Sequence, residues 1–270
     1  PGDYNTRFLL LIDGQRLNDN IYQQALLGAE FPLDLALVER IEYVPGPGSS
    51  IYGGNAIFGV INVITRKAAE LPPLTISATV SSRNRQTAAL IGSRRLSSGA
   101  ALVAAASLER QGAYNQHYDD PNGLLLTASG LPSRDGIAHD LDQLDSYRLF
   151  LRYEDGGFSL TGRYGQRVVQ PSSALYNTVF DDPDSQITDN NWSLLARYER
   201  QLSGTVNLET RLELTQSRYL ATLPYLDSNN SRYLNRDQSL GRWWAADIRL
   251  LHTGWSTHKL IGGIDGQIDD

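Results

Sequence analysis

The sequence predicts a mainly β protein, a partial transmembrane antiparallel β-barrel preceded by a small α+β unit. Three observations predict it. From Leu74 onward apolar and polar residues alternate with period two in segment after segment, as half-buried strands do. The connections between those segments are sorted into long and short by parity. The apolar face of several segments ends in Tyr or Trp, as at a membrane interface.

Composition narrows the classes. The 270 residues carry 24 basic and 30 acidic side chains, a net charge of −6, which argues against a nucleic-acid partner with its basic face. There is no Cys, so disulfides, thiolate metal sites and cysteine nucleophiles are excluded. With no Met and an opening Pro1-Gly2-Asp3, the chain is expected to be a fragment or a processed product. It has no run of about 18 apolar residues, which removes a transmembrane helix but leaves a barrel open, since alternating strands average to a polar hydropathy.

The elements follow in order. Phe8 to Ile12 is apolar on both faces and stops at Asp13-Gly14, so it reads as a buried strand ending in a turn. Pro32 to Arg40 carries Leu33, Leu37 and Val38 at helical spacing, enough for about two turns. Ile41 to Val44 reads as a strand broken by Pro45-Gly46-Pro47-Gly48, and Ile57 to Thr65 as a second strand apolar on both faces. These form a first unit, residues 1–70, with its own core; residues 71–270 form the second.

Nine strands are expected there: 74–82, 86–93, 100–109, 146–154, 158–166, 192–200, 205–217, 242–252 and 257–268. The six connections after the third run 36, 3, 25, 4, 24 and 4 residues. A meander puts alternate connections at opposite ends, so long loops gather on one side and tight turns on the other, the pattern of an outer-membrane barrel. The short 83–85 connection is the exception. Tyr147 and Tyr153, Trp192 and Tyr198, Tyr164 and Trp244 edge the apolar face, and a six-residue spacing is roughly 20 Å of strand. The other face carries Arg148, Arg152, Arg163, Arg197, Glu209, Arg211, Glu213, Arg249 and Asp265, as a wet lumen requires. A β-sandwich with core Leu and Tyr, a soluble all-β binding module, is the rival; loop parity and the aromatic edges favour the barrel.

Four blocks in the first unit carry a resemblance: Leu9 to Asn18, Val38 to Val44, Gly46 to Gly53 and Ala56 to Thr65, with Asp13, Gly14, Gly46, Pro47, Tyr52, Gly53, Gly59 and Asn62 as their markers. In this order and spacing they resemble the plug domain of TonB-dependent outer-membrane receptors, closest to the cobalamin and catecholate-siderophore receptors. The resemblance implies a 22-stranded barrel filled by the plug. Nine strands do not close it, and at about 20 residues per strand and connection the whole would need well over 400 residues. The front of the plug and the TonB box are expected to precede Pro1. It further implies residence in outer-membrane lipid of a Gram-negative cell, a small-molecule chelate as ligand, and drive from the TonB–ExbB–ExbD complex. The cargo is expected to be a ferric siderophore, with cobalamin or another chelate as the alternative.

Glu39, Arg40 and Glu42 are expected to pair with lumen charges and lock the plug, against the plainer reading of a solvated charge cluster. The segment Asn18 to Phe31 is expected to form an apical loop facing the ligand, with Asn20, Tyr22 and Gln23 as contacts; an ordinary surface loop is the alternative. Gly46 to Gly54 lacks the Lys a phosphate loop needs, Asn55 standing there instead, and reads as structural. Asp119, Asp120, Asp181, Asp182 and Asp184 fall in two long loops on one side and could hold Ca²⁺, a hard ion wanting six to eight oxygens; solvated acidic loops are the alternative, and no other cofactor is expected. Ser, His and Asp occur without a nucleophile elbow, so no enzyme is expected.

Overall fold

The computed structural model describes residues 5–48, 52–120, 122–255 and 257–270. Among them the strands form a four-stranded sheet, a nine-stranded sheet and a two-stranded hairpin.

The small sheet contains β1 (Phe8–Ile12), β2 (Gln15–Arg16), β3 (Val38–Pro45) and β4 (Gly59–Thr65), ordered β2-β1-β4-β3. β1 and β4 are the central strands and run parallel, Phe8 opposite Gly59 and Ile12 opposite Val63. Both are apolar on both faces because both faces are covered. Asp13 and Gly14 join β1 to β2 with φ of 50° and 77°. Two left-handed residues are what a two-residue hairpin requires, and glycine supplies one of them without a steric penalty.

The large sheet is an antiparallel meander. Its strands are β5 (Leu74–Ser81), β6 (Arg85–Arg95), β7 (Ala101–Gln111), β10 (Leu144–Asp155), β11 (Phe158–Val169), β12 (Gln186–Ser203), β13 (Val206–Leu226), β14 (Arg232–His252) and β15 (Leu260–Asp269). Each pairs with its neighbour in chain order, the β8 (Tyr114–His117) and β9 (Ile137–Leu141) hairpin standing apart between β7 and β10. All nine expected strands are present. One face points away from the small sheet and carries Leu149, Leu151, Tyr147, Trp192, Tyr198 and Trp244, all exposed. The other wraps the small sheet and buries Arg152, Arg163 and Arg211 at 7%, 4% and 9% exposure. A sandwich would do the reverse, burying the leucines and exposing the arginines.

The two sheets share one core. Leu10, Ile12, Leu17, Leu26, Leu33, Leu37 and Val63 of the first unit pack with Ile91, Ala101, Val103, Ala105 and Phe150 of the meander. Small inward residues on β7 let the first unit come close. At Gly165 and Gly241 the approach leaves no room for a side chain: a Cβ at Gly165 would stand 2.8 Å from Cβ of Pro32, and one at Gly241 would overlap Asn20 Oδ1.

Two local expectations differ from what is seen. The two helical turns over Pro32 to Arg40 reduce to one 3₁₀ turn, Leu35–Leu37, capped by Asp34, whose Oδ1 accepts from Ala36 N at 2.9 Å. Leu33 and Leu37 are buried, but Leu35 is exposed and Val38 already pairs with Thr65, so the ladder to β4 takes the backbone before a second turn forms. The connections expected at 167–191 and 218–241 are also shorter. β13 and β14 continue to Leu226 and from Arg232, leaving only 227–231 between them. Their outward residues beyond Leu214 and Trp244 mix Gln216, Arg218, Gln238 and Arg236 with Leu220, Leu234 and Leu240, so the alternation loses its regular apolar beat while the hydrogen-bond ladder continues.

Phe150, 4% exposed, bridges the two units. Phe150→Ala is expected to cost about 3–5 kcal/mol by transfer and cavity terms. Amide exchange in β1 and β4 should rise while β11 to β13 stay protected.

Candidate functional site

The Asp13-Gly14 turn is pushed into the polar face of the meander, where arginines from four successive strands reach it. Arg152 on β10 donates from Nη2 to Asp13 Oδ2. Arg163 on β11 donates to Gln15 Oε1. Arg197 on β12 donates to the Asp13 carbonyl at 2.6 Å, and Arg211 on β13 to the Gly14 carbonyl at 3.3 Å. Asp13 is held from behind, accepting from Thr65 N at 2.9 Å and Thr65 Oγ1 at 2.8 Å. Asn62 Oδ1 accepts from Gly14 N at 3.1 Å, which gives that plug marker its role. A side chain at Gly14 would also meet Arg211 Nη1 at 3.2 Å.

Glu39, Arg40 and Glu42 do not take part in this seat. Arg40 pairs with Glu39 at 2.8 Å and Glu42 at 2.9 Å, and all three side chains are at least a third exposed. The reason is position. β3 is the far edge of the small sheet, whereas the hairpin tip at the opposite edge enters the meander. Of the other plug markers, Gly46 N donates to Phe58 O at 3.0 Å and Gly59 has no room for a Cβ, which would meet Val44 O at 2.8 Å. Pro47, Tyr52 and Gly53 flank residues 49–51, which lie outside the described residues.

Toward the long-loop end lies a solvent-open pocket of about 1010 Å³, lined by Tyr22, Gln24, Glu30, Arg167, Leu175, Tyr176, Ile187, Asp189, Tyr219, Leu223, Tyr225 and Asp237. Tyr22, half exposed, meets Tyr219 edge to face with ring centres 5.7 Å apart. Asn20 and Gln23 serve elsewhere. Asn20 Nδ2 donates to the Arg242 carbonyl at 3.1 Å, tying the loop to β14, and Gln23 Oε1 accepts from Arg16 at 3.0 Å. Asp19 holds the loop in shape, its carboxylate accepting from Ile21 N, Tyr22 N and Gln24 N. The pocket residues missed in the sequence, Tyr219 and Tyr225 above all, continue the inward register of Arg211 and Glu213 on β13. Extending that strand past residue 217 would have found them.

The floor of the pocket is an ion cluster, Arg167 Nη1 lying 2.9 Å from Glu30 Oε1 and Arg167 Nε donating to Asp189 Oδ2 at 3.0 Å. Burial pushes the Glu30 carboxyl up to about 7; Arg167 opposes the shift, while Asp189 and Asp19 add to it. Burial raises Asp19 as well, against its backbone donors.

The loop carboxylates face separate partners. Asp120 accepts from Leu124 N and Leu125 N at 2.8 Å, while Asp119 lies 3.7 Å from His117. Asp181 accepts from His139 N at 2.6 Å, and Asp182 pairs with Arg232 at 2.6 Å, beside Asp184 on the same arginine. Among the described residues no group of three or more His, Asp or Glu converges to hold a metal ion. Asp181 ties the two long loops together near buried Phe180, while Asp182 and Asp184 tie the second loop to the start of β14.

A hairpin-tipped unit seated on the polar face of an antiparallel meander, under a tyrosine-lined pocket, has the architecture of a plug against part of a barrel wall. Residues 2–60 match the family described as the TonB-dependent receptor plug domain. That match covers the small-sheet unit, which lies against the nine-stranded meander. The ferric-catecholate import receptor Fiu of E. coli K12, open form, is similar with a TM-score of 0.68 at 13% identity, over 100% of this chain and 43% of that one. The pyoverdine outer-membrane receptor FpvA of Pseudomonas aeruginosa PAO1 gives 0.64 at 13% identity, over 97% and 39%. The ferric yersiniabactin uptake receptor FyuA of Yersinia pestis gives 0.61 at 18%, over 98% and 40%. At these identities the likeness is one of fold, and this chain spans 39–43% of the length of those proteins.

Two predictions follow from the seat and the floor. Asp13→Asn leaves Arg152 buried beside a neutral group and is expected to cost about 3–5 kcal/mol, read as faster exchange of the 8–17 amides; a double-mutant cycle with Arg152→Gln isolates the pair. Because the folded carboxyl of Glu30 titrates near 7 and an unfolded one near 4.5, its contribution is fully present below about 4.5 and is lost as pH rises through about 7. Protection of the 28–31 amides, corrected for intrinsic rates, should fall over that window, and Glu30→Gln should flatten the change.

Proposed function

We propose that the chain works in the outer membrane of a Gram-negative cell as the plug and wall of a receptor that takes up a ferric siderophore under TonB drive. The observation that supports it is the tyrosine-lined pocket directly above a plug held by directional ion pairs. The named neighbours in the structural comparison, receptors for ferric catecholates, pyoverdine and ferric yersiniabactin, lend the cargo class. Cobalamin is the less supported cargo, since none of these three is named for it.

In this reading the exposed leucines, Tyr147, Trp192 and Trp244 meet lipid, and the chelate packs against Tyr22 and Tyr219. Occupancy is felt by the 19–30 loop, which runs into the hairpin seat through Leu17 and Asn18. A pull from the inner-membrane transducer on the chain ahead of β1 loads the Asp13–Arg152 contact, and its release frees the plug. No bond is made or broken; the work is binding followed by movement.

A deletion strain complemented with the gene and given single iron chelates identifies the cargo by growth. Tyr22→Ala and Tyr219→Ala are each expected to weaken binding of that chelate about tenfold, or about 1.4 kcal/mol, measured by quenching of protein fluorescence in detergent. Growth on no iron chelate but on cobalamin alone would reassign the cargo.

A further inference from the structure

The pocket carries more carboxylates than cations. Its walls and floor carry Asp19, Glu30, Asp189 and Asp237 against Arg167, and Arg167 is already engaged by Glu30 and Asp189. Arg218 borders the lower part of the cavity but is exposed on the outward face of β13, next to inward-facing Tyr219. Asp237 stands on β14 opposite Ala221, exposed, near Tyr219 and Tyr225. Tyr22, Tyr176, Tyr219 and Tyr225 line the cavity beside Leu175, Ile187 and Leu223, and aromatic faces attract cations and repel anions through their quadrupole. Carboxylates and ring faces therefore act in the same direction. A trianionic chelate would meet this wall with like charge, whereas an ammonium or guanidinium group would gain from both.

Resting on the uptake reading above, we propose that the pocket selects ferric chelates bearing a cationic group, which Asp237 receives between Tyr219 and Tyr225, and discriminates against anionic ones. The chelate's metal-binding part then lies over Tyr22, and its cation points to β14.

The test uses the full receptor in detergent and three ferric linear trihydroxamates that differ at one terminus only: a free amine, its N-acetyl form and its N-succinyl form, hence positive, neutral and negative. Kd is expected to rise in that order, by about tenfold or more from the amine to the succinyl form at low salt, with the gap shrinking at high salt. Asp237→Asn should narrow the amine-to-succinyl ratio whatever it does to the affinities themselves. Equal or inverted affinities overturn the proposal, as does a ratio that Asp237→Asn leaves unchanged. If none of the three binds but a trianionic ferric tricatecholate does, charge selection is overturned and the uptake function stands. If no ferric chelate of any charge binds, both fall.

Discussion

The plug depends on a turn of two residues. Asp13 and Gly14 place two adjacent carbonyls and one carboxylate at the tip of a hairpin, and Arg152, Arg163, Arg197 and Arg211 converge on that tip and on Gln15 beside it. Guanidinium groups suit this because each offers several donors in a fixed plane and stays charged at every working pH. The turn must be left-handed at both positions to aim its carbonyls outward, and Thr65 and Asn62 on β4 keep the carboxylate and the Gly14 amide from turning away. Charge, backbone shape and sheet order are thus parts of one joint. The meander supplies the arginines only because its inward register repeats from strand to strand.

That register was the most legible part of the molecule. Alternation such as Tyr147, Leu149, Leu151 against Arg148 and Arg152 states the strand and its two faces at once, and the nine strands stand where it puts them. The tops of β13 and β14 were not legible, because outward Gln216, Arg218, Gln238 and Arg236 interrupt Leu220, Leu234 and Leu240 and leave no regular apolar beat, although the ladder of backbone bonds runs on. The turn at Leu35 was misread for a different reason, since Leu33, Leu37 and Val38 have helical spacing but the partner strand β4 decides their fate.

The site divides the same way. Local chemistry marked Asp13-Gly14 as a turn and Asn18 to Phe31 as a loop, but which plug residues touch the wall is a matter of tertiary register, with partners such as Asp13 and Arg197 separated by 184 residues. Glu39, Arg40 and Glu42 were attractive as a lock because they are charged and near the core. They lie on the edge of the small sheet away from the hairpin seat, where Arg40 pairs with both glutamates. Tyr22 is at the pocket, while Asn20 and Gln23 are taken up by β14 and Arg16 in holding the loop's shape.

The shared core has a mechanical meaning. Ile91, Val103 and Phe150 are apolar side chains on the inward face of the meander, and the plug packs over them. Any displacement of the plug wets that patch, at roughly 25 cal/mol for each Å² of apolar surface uncovered. Unlike the ion pairs, which yield abruptly over a fraction of an ångström, this resistance grows with distance and persists after the polar contacts have parted. On the uptake reading proposed above, the wall acts as a return spring: once the pull ends, water itself drives the plug home, and the arginines need only catch it.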